Sequence, residues 1–108
     1  MQKKVMISQP MNGLSDEEIM QNRYDANRYL HKHGFEIVNS FFIDDEYSDE
    51  ALKAKGVEQI GVYFLAKSLE SMSMCDAVYF CKGWENARGC KLEHDVAVAY
   101  GLEILYEE

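Results

Sequence analysis

Ala77-Val78-Tyr79-Phe80-Cys81, followed by Gly83-Trp84-Glu85-Asn86-Ala87-Arg88-Gly89-Cys90-Lys91-Leu92-Glu93-His94, is the stretch that decides the fold. The first run is apolar and rich in strand-favouring side chains, so it reads as a buried strand. The helical pattern that follows lies within Asn86 to Tyr100 and stops at Gly101. A strand, a polar loop and a helix in succession form the repeating junction of an open α/β sheet, where ligands bind outside the carboxyl ends of the strands. A plain turn needs neither Trp84 nor Arg88, and this loop carries both. The candidate site is therefore placed at this junction.

Outward from it, the same alternation recurs. Lys4 to Ser8 is a short buried strand that runs into the turn-rich Gln9-Pro10-Met11-Asn12-Gly13. Ser15 followed by Glu18 is a capping-box pattern that opens a helix. Ile19, Arg23, Ala26 and Leu30 mark its inward face, and Gly34 ends it. Phe35 to Val38 is the second strand, completing a βαβ unit. Asn39 to Asp49 is a long acidic loop holding Phe41, Phe42 and Tyr47, read as a lid or a subunit contact. Leu52 to Met74 is mostly helical with a break at Gly56, and Leu102 to Tyr106 is a last strand. The expectation is one domain over residues 1–108, with a small parallel sheet of about four to five strands and helices on both faces.

The chain has 108 residues and a formal charge of −8. An acidic surface argues against a nucleic-acid polymer and against an anionic membrane, since both are bound by basic patches. A small anionic ligand stays compatible, because one Arg and the free amides of a helix start act locally. No apolar run reaches the length of a membrane-spanning helix. The first residues are too short for a signal peptide, and three cysteines fit reduced thiols. Cytoplasmic location is expected, and so is a homo-oligomer, given so small a core.

Glu93 lies early in its helix, where the dipole favours an ionised carboxylate. Near a ligand, such a carboxylate can act as a nucleophile at a sugar carbon. From spacing alone, a Glu that simply suits a helix start is the stronger reading. Arg88 and Gly89 fit a phosphate by charge-assisted hydrogen bonds, or equally a surface turn. Trp84 in a polar loop fits stacking on a base, or packing. Ser8, Gln9, Asn12 and Gly13 end the first strand at the same edge; a turn and cap explain Gly13 but not Ser8 or Gln9. Cys90 and His94 share a helix face, yet the spacing of Cys75, Cys81, Cys90 and His94 is not that of a zinc site. No metal or cofactor is expected, and no Walker loop, GxSxG elbow or GxGxxG turn is present.

Taken together, Ile7-Ser8-Gln9-Pro10-Met11-Asn12-Gly13, Asp76-Ala77-Val78-Tyr79-Phe80, the Gly83 to Gly89 loop and Leu92-Glu93-His94 resemble a short phage and bacterial domain-of-unknown-function family. That family is similar to the nucleoside 2-deoxyribosyltransferase superfamily. The resemblance covers nearly the whole chain. It implies a flavodoxin-like fold, a nucleoside or nucleotide substrate, and a pocket completed by neighbouring subunits. It implies that Glu93 stands at the nucleophile position and that Asp76 matches the Asp of the strand element. It also implies that Ser8 to Gly13 meet the sugar or its phosphate. Ser68 stands where active members carry a further carboxylate, and His94 stands where a glycine usually follows the nucleophile. The implied activity is N-glycosidic cleavage or deoxyribosyl transfer. The alternative is a protein that senses or sequesters a nucleotide-derived small molecule, and a third reading is a protein-interaction scaffold.

Overall fold

A computed structural model describes residues 2–108. Its strands are β1 (Lys4–Ser8), β2 (Glu36–Ile37), β3 (Ala77–Phe80) and β4 (Glu103–Tyr106). Its helices are α1 (Asp16–Lys32), α2 (Asp49–Lys55), α3 (Ile60–Met72) and α4 (Arg88–Ala99). All strand pairings are parallel, in the order β2-β1-β3-β4. This is a flavodoxin-like three-layer α/β fold.

Alternation along the strands builds both faces. Val5, Ile7, Ala77, Tyr79 and Cys81 turn toward α1 and pack with Ala26 and Leu30. Met6, Val78 and Phe80 turn the other way and pack with Met72 and Ala97 of α3 and α4. Strands buried on both faces read as continuous apolar runs, which is why β1 and β3 stand out in the sequence.

Local signals placed the helix ends well. Ser15 accepts a hydrogen bond from the Glu18 amide, and Glu18 accepts one from the Ser15 amide, each at 3.1 Å. Such a box is worth ~1 kcal/mol. Gly56 takes a left-handed φ of 102° and ends α2, so the expected long helix is two. The first of these begins at Asp49, ahead of the expected Leu52, because Ser48 caps it through the Ala51 amide.

The loop after β2 is pinned down. Val38 still donates its amide to the Val5 carbonyl. Beyond it the strand pairing stops, and the Ser40 hydroxyl donates to the Ile7 carbonyl at 2.8 Å. Ser71 of α3 donates its hydroxyl to the Asn39 carbonyl, also at 2.8 Å. The loop thus lies against the carboxyl end of β1.

The strand order changes direction between β1 and β3. Such a switch point opens a crevice at the carboxyl ends of the two strands. Ser8 and Phe80 are register partners there. Among the described residues no helix is long and apolar enough to cross a membrane.

Candidate functional site

Ser8 is the last residue of β1 and faces α4. Its hydroxyl donates to Glu93 Oε1 at 2.6 Å, inside the protein, with Ser8 1% and Glu93 8% exposed. Ser68 of α3 lies near the same carboxyl and, like Ser8, favours its ionised form. Burial pushes the Glu93 carboxyl above the usual carboxylate range, while the two hydroxyls pull it back toward the ionised form. The ionisation expected from its helix position is therefore opposed. Glu93 sits in the second turn of α4, past the reach of the helix dipole, and desolvation dominates.

Cys90, one turn earlier on α4, is buried beside Ser8, and burial raises its thiol to about 11. Cys81 is raised to about 12, also chiefly by burial. Neither thiol is a nucleophile at neutral pH, because the reactive species is the thiolate. Among the described residues, no three His, Cys, Asp or Glu side chains converge as metal ligands.

Gln9, next along the chain, turns to the opposite side. Its amide donates to the Ile19 carbonyl at 2.6 Å and its oxygen accepts from Arg23 Nε at 2.9 Å. Arg23 is 8% exposed and lies 4.6 Å from the centre of the Phe41 ring. Helical spacing had marked Arg23 only as an inward position. The signal that could have found it was the charge itself, set among apolar neighbours on that face.

An open groove of about 380 Å³ lies at the carboxyl end of the sheet, between the loops after β1 and β3. Asn12, Asn22, Cys81, Asn86 and Glu107 line it. The two loops meet where Gly83, at a left-handed φ of 88°, comes up to Pro10. A Cβ on Gly83 would stand 3.6 Å from Pro10 Cγ. Ser8 and Glu93 are not on the groove wall.

The remaining expected site residues scatter. Trp84 is stacked on the His94 ring, with centroids 4.1 Å apart and planes at 19°, and it packs near Phe80 and Tyr106. His94 Nε2 and the Tyr106 hydroxyl share a hydrogen bond of 2.6 Å. Arg88 reaches across to α3, where a Cβ on Gly61 would lie 3.6 Å from its Nη2. Gly89 is exposed in the first turn of α4, and Gly13 sits in the exposed turn before α1. Asp76 is not at this edge at all. It precedes β3 and accepts from the Lys4 amide at 2.9 Å, at the amino end of the sheet. Its carboxylate closes the start of β1 instead of meeting a ligand near Glu93.

Residues 3–106 match the family model described as Domain of unknown function (DUF4406). No curated protein and no solved structure matches the chain.

Proposed function

The chain belongs to the DUF4406 family, and from that premise we propose that it cleaves, or transfers across, the N-glycosidic bond of a nucleoside or nucleotide, with Glu93 as nucleophile. The observation that carries the reading is the buried Ser8–Glu93 hydrogen bond at the carboxyl end of β1, beside the switch point of the sheet. A carboxyl held by a hydroxyl donor in an apolar setting is poised for attack on a carbon that gains positive character as a base departs. The resemblance of the Ser8 to Gly13 and Gly83 to His94 segments to the nucleoside 2-deoxyribosyltransferase superfamily supports the same chemistry.

In this reading ionised Glu93 bonds to the anomeric carbon as the C–N bond breaks, and the base leaves with the bonding electrons and takes up a proton. Water or a second base then displaces the carboxylate and restores Glu93. Asn12 and Gly13 contact the sugar, and Arg88 with Gly89 or the neighbouring loop amides meets a phosphate. Trp84 offers the base only the part of its ring that His94 leaves uncovered. Because attack needs the ionised carboxyl and burial raises its pKa, turnover rises with pH through the Glu93 titration.

Liquid chromatography of free base, released from deoxynucleosides and their monophosphates, tests this. Native protein releases base, and Glu93→Gln releases none while keeping its fold. Base release unchanged in Glu93→Gln would remove Glu93 from the chemistry.

One observation favours a second reading, binding without turnover. Glu93 is not on the groove wall, and burial favours the neutral form of its carboxyl. A sequestering protein would melt at a higher temperature with an intact nucleotide and yield no product.

A further inference from the structure

Ser8 and Glu93 meet in a closed chamber. Cys90 is buried beside Ser8, and Ser68 stands near the Glu93 carboxyl from α3. The open groove between the loops after β1 and β3 has neither Ser8 nor Glu93 in its lining. A carboxyl this deep meets a ligand only after a wall has moved. Two segments stand at this end of the sheet, and they are held in different ways.

Residues 83–87 are held by the main chain. Trp84 donates its amide to the Cys81 carbonyl, Asn86 to Gly83 and Ala87 to Trp84, and the indole is stacked on His94. Residues 39–47 are held by side chains. Among the described residues, none from 39 to 43 shares a main-chain hydrogen bond with the sheet, and none from 39 to 48 is buried. The Ser40 hydroxyl donates to the carbonyl of Ile7, the residue before Ser8, and the Ser71 hydroxyl donates to the Asn39 carbonyl. Phe41 lies against Arg23 of α1. On the other side the Lys67 ammonium stands 5.1 Å from the Phe42 ring centre and 5.9 Å from that of Tyr47, and Tyr47 lies 6.3 Å from Phe64. Phe64, Lys67 and Ser71 share one side of α3, with Ser68 next to Lys67. The segment thus crosses the end of β1 from α1 to α3, beside the place where Ser8 meets Glu93.

We propose that residues 39–47 are a strap that closes the Ser8–Glu93 chamber and opens locally to admit the substrate, which rests on the reading of Glu93 as nucleophile. A segment with no buried residue, tied by a few side chains, opens at far less cost than the sheet beneath it. Closure keeps bulk water from the carboxyl and from the glycosyl ester it forms. Opening returns water to Glu93 and favours the ionised form that attack requires. Ligand enters the open form only, so apparent affinity scales with the open fraction. The strap thereby accounts for a nucleophile that lies off the wall of the open groove.

Cys90 is a native reporter of the chamber, and Cys81, buried on the α1 face of the sheet, reports on the rest of the core. The test is labelling of the full chain with dilute N-ethylmaleimide, resolved by cysteine through peptide mass spectrometry. At low reagent the rate follows the open population. Ser40→Ala combined with Lys67→Gln removes one hydroxyl tie and one cation–π tie, so Cys90 labelling should rise about tenfold while Cys81 stays near its native rate. Ser15→Ala loosens the cap of α1 and leaves the strap alone, so any rise there is shared by Cys81 and Cys90. Cys90 labelling that is unchanged in the Ser40/Lys67 variant, or that rises only in step with Cys81, would overturn the strap. Where base is released, kcat/KM should rise in that variant by the same factor as Cys90 labelling. A faster Cys90 with an unchanged kcat/KM would overturn the strap as the substrate's gate. A faster Cys90 with no base released by any form supports the strap and removes the nucleophile, so the two readings fail separately.

Discussion

Ser8 and Gln9 are neighbours at the end of β1, yet they hold buried groups of opposite charge on opposite faces of the sheet. Ser8 donates to the Glu93 carboxyl under α4, and Gln9 accepts from the Arg23 guanidinium under α1. Desolvation presses both partners toward neutrality, raising the carboxyl and lowering the guanidinium. Only the carboxyl can comply. Glu93 can take up a proton above the usual carboxylate range, whereas Arg23 stays charged at every pH the fold survives. The α4 side is thus a place where a proton can be held, and the α1 side a place where charge is fixed. The two regions teach that equal burial has different consequences when one group has an escape and the other has none.

The comparison breaks most sharply at Gln9. Gln9→Leu removes the acceptor of a cation that cannot neutralise, and also the side-chain donor to the Ile19 carbonyl, which keeps its bond within α1. A loss of ~3 kcal/mol is expected. Because Arg23 does not titrate, urea unfolding should give about the same loss at pH 5 as at pH 8. Ser8→Ala is expected to cost less, ~2 kcal/mol at neutral pH, and its cost should shrink in acid. Glu93 has a folded pKa above its unfolded value, so the stability tied to its proton is full below the unfolded pKa. That stability is lost as pH rises through the folded pKa. Without Ser8 the folded value climbs further, so the gap between variant and native protein opens above the ordinary carboxylate range. A Ser8→Ala cost that is flat with pH would mean that the carboxyl does not feel the hydroxyl.

What could be read in the chain beforehand follows the same division between local and distant. The Ser15–Glu18 box, the Gly56 break and the β1 and β3 runs are decided by residues close in sequence, and they formed where expected. Glu93 stood out by resemblance and by its place on a helix, but its burial depends on Ser8, 85 positions away. In the sequence Ser68 stands out only for lacking a carboxylate, although in the fold it lies near Glu93 and favours its ionised form. Trp84 sits in a polar loop, which suggests an open face. Its stacking depends on His94 and Tyr106, the latter on another strand, and no local pattern reports that. Asp76 was drawn toward the site by resemblance alone. Its place before Ala77, at the start of a strand, puts it at the far end of a parallel sheet from the switch-point crevice.

Phe41 tests whether the α1 side depends on its aromatic cover. Phe41→Ser removes the ring over Arg23 and part of the apolar contact of the loop. A loss of ~1.5 kcal/mol is expected, from a partly desolvated cation–π contact and a half-buried aromatic. The loop remains tied through Ser40 and Ser71, so hydrogen exchange should rise around Phe41 more than at Val38. Equal exchange across the whole segment would show that Phe41, and not the two serines, holds the loop.

The smallest effect belongs to the α4 side. The Tyr106 hydroxyl bonds His94 at 2.6 Å, but Tyr106 is 48% exposed, so water replaces a lost partner. Tyr106→Phe should cost ~0.5 kcal/mol in chemical unfolding. The ring contacts with Trp84 and Phe80 survive the substitution, so Trp84 fluorescence should keep its emission maximum. A red-shifted maximum would mean that the hydroxyl bond to His94, and not the ring packing, holds the indole in place. Trp84 would then be able to turn away from His94 and present a full face to a base. That outcome would shift the α4 side from a fixed aromatic wall to an adjustable one, and it would make Tyr106 a positioning residue for Trp84.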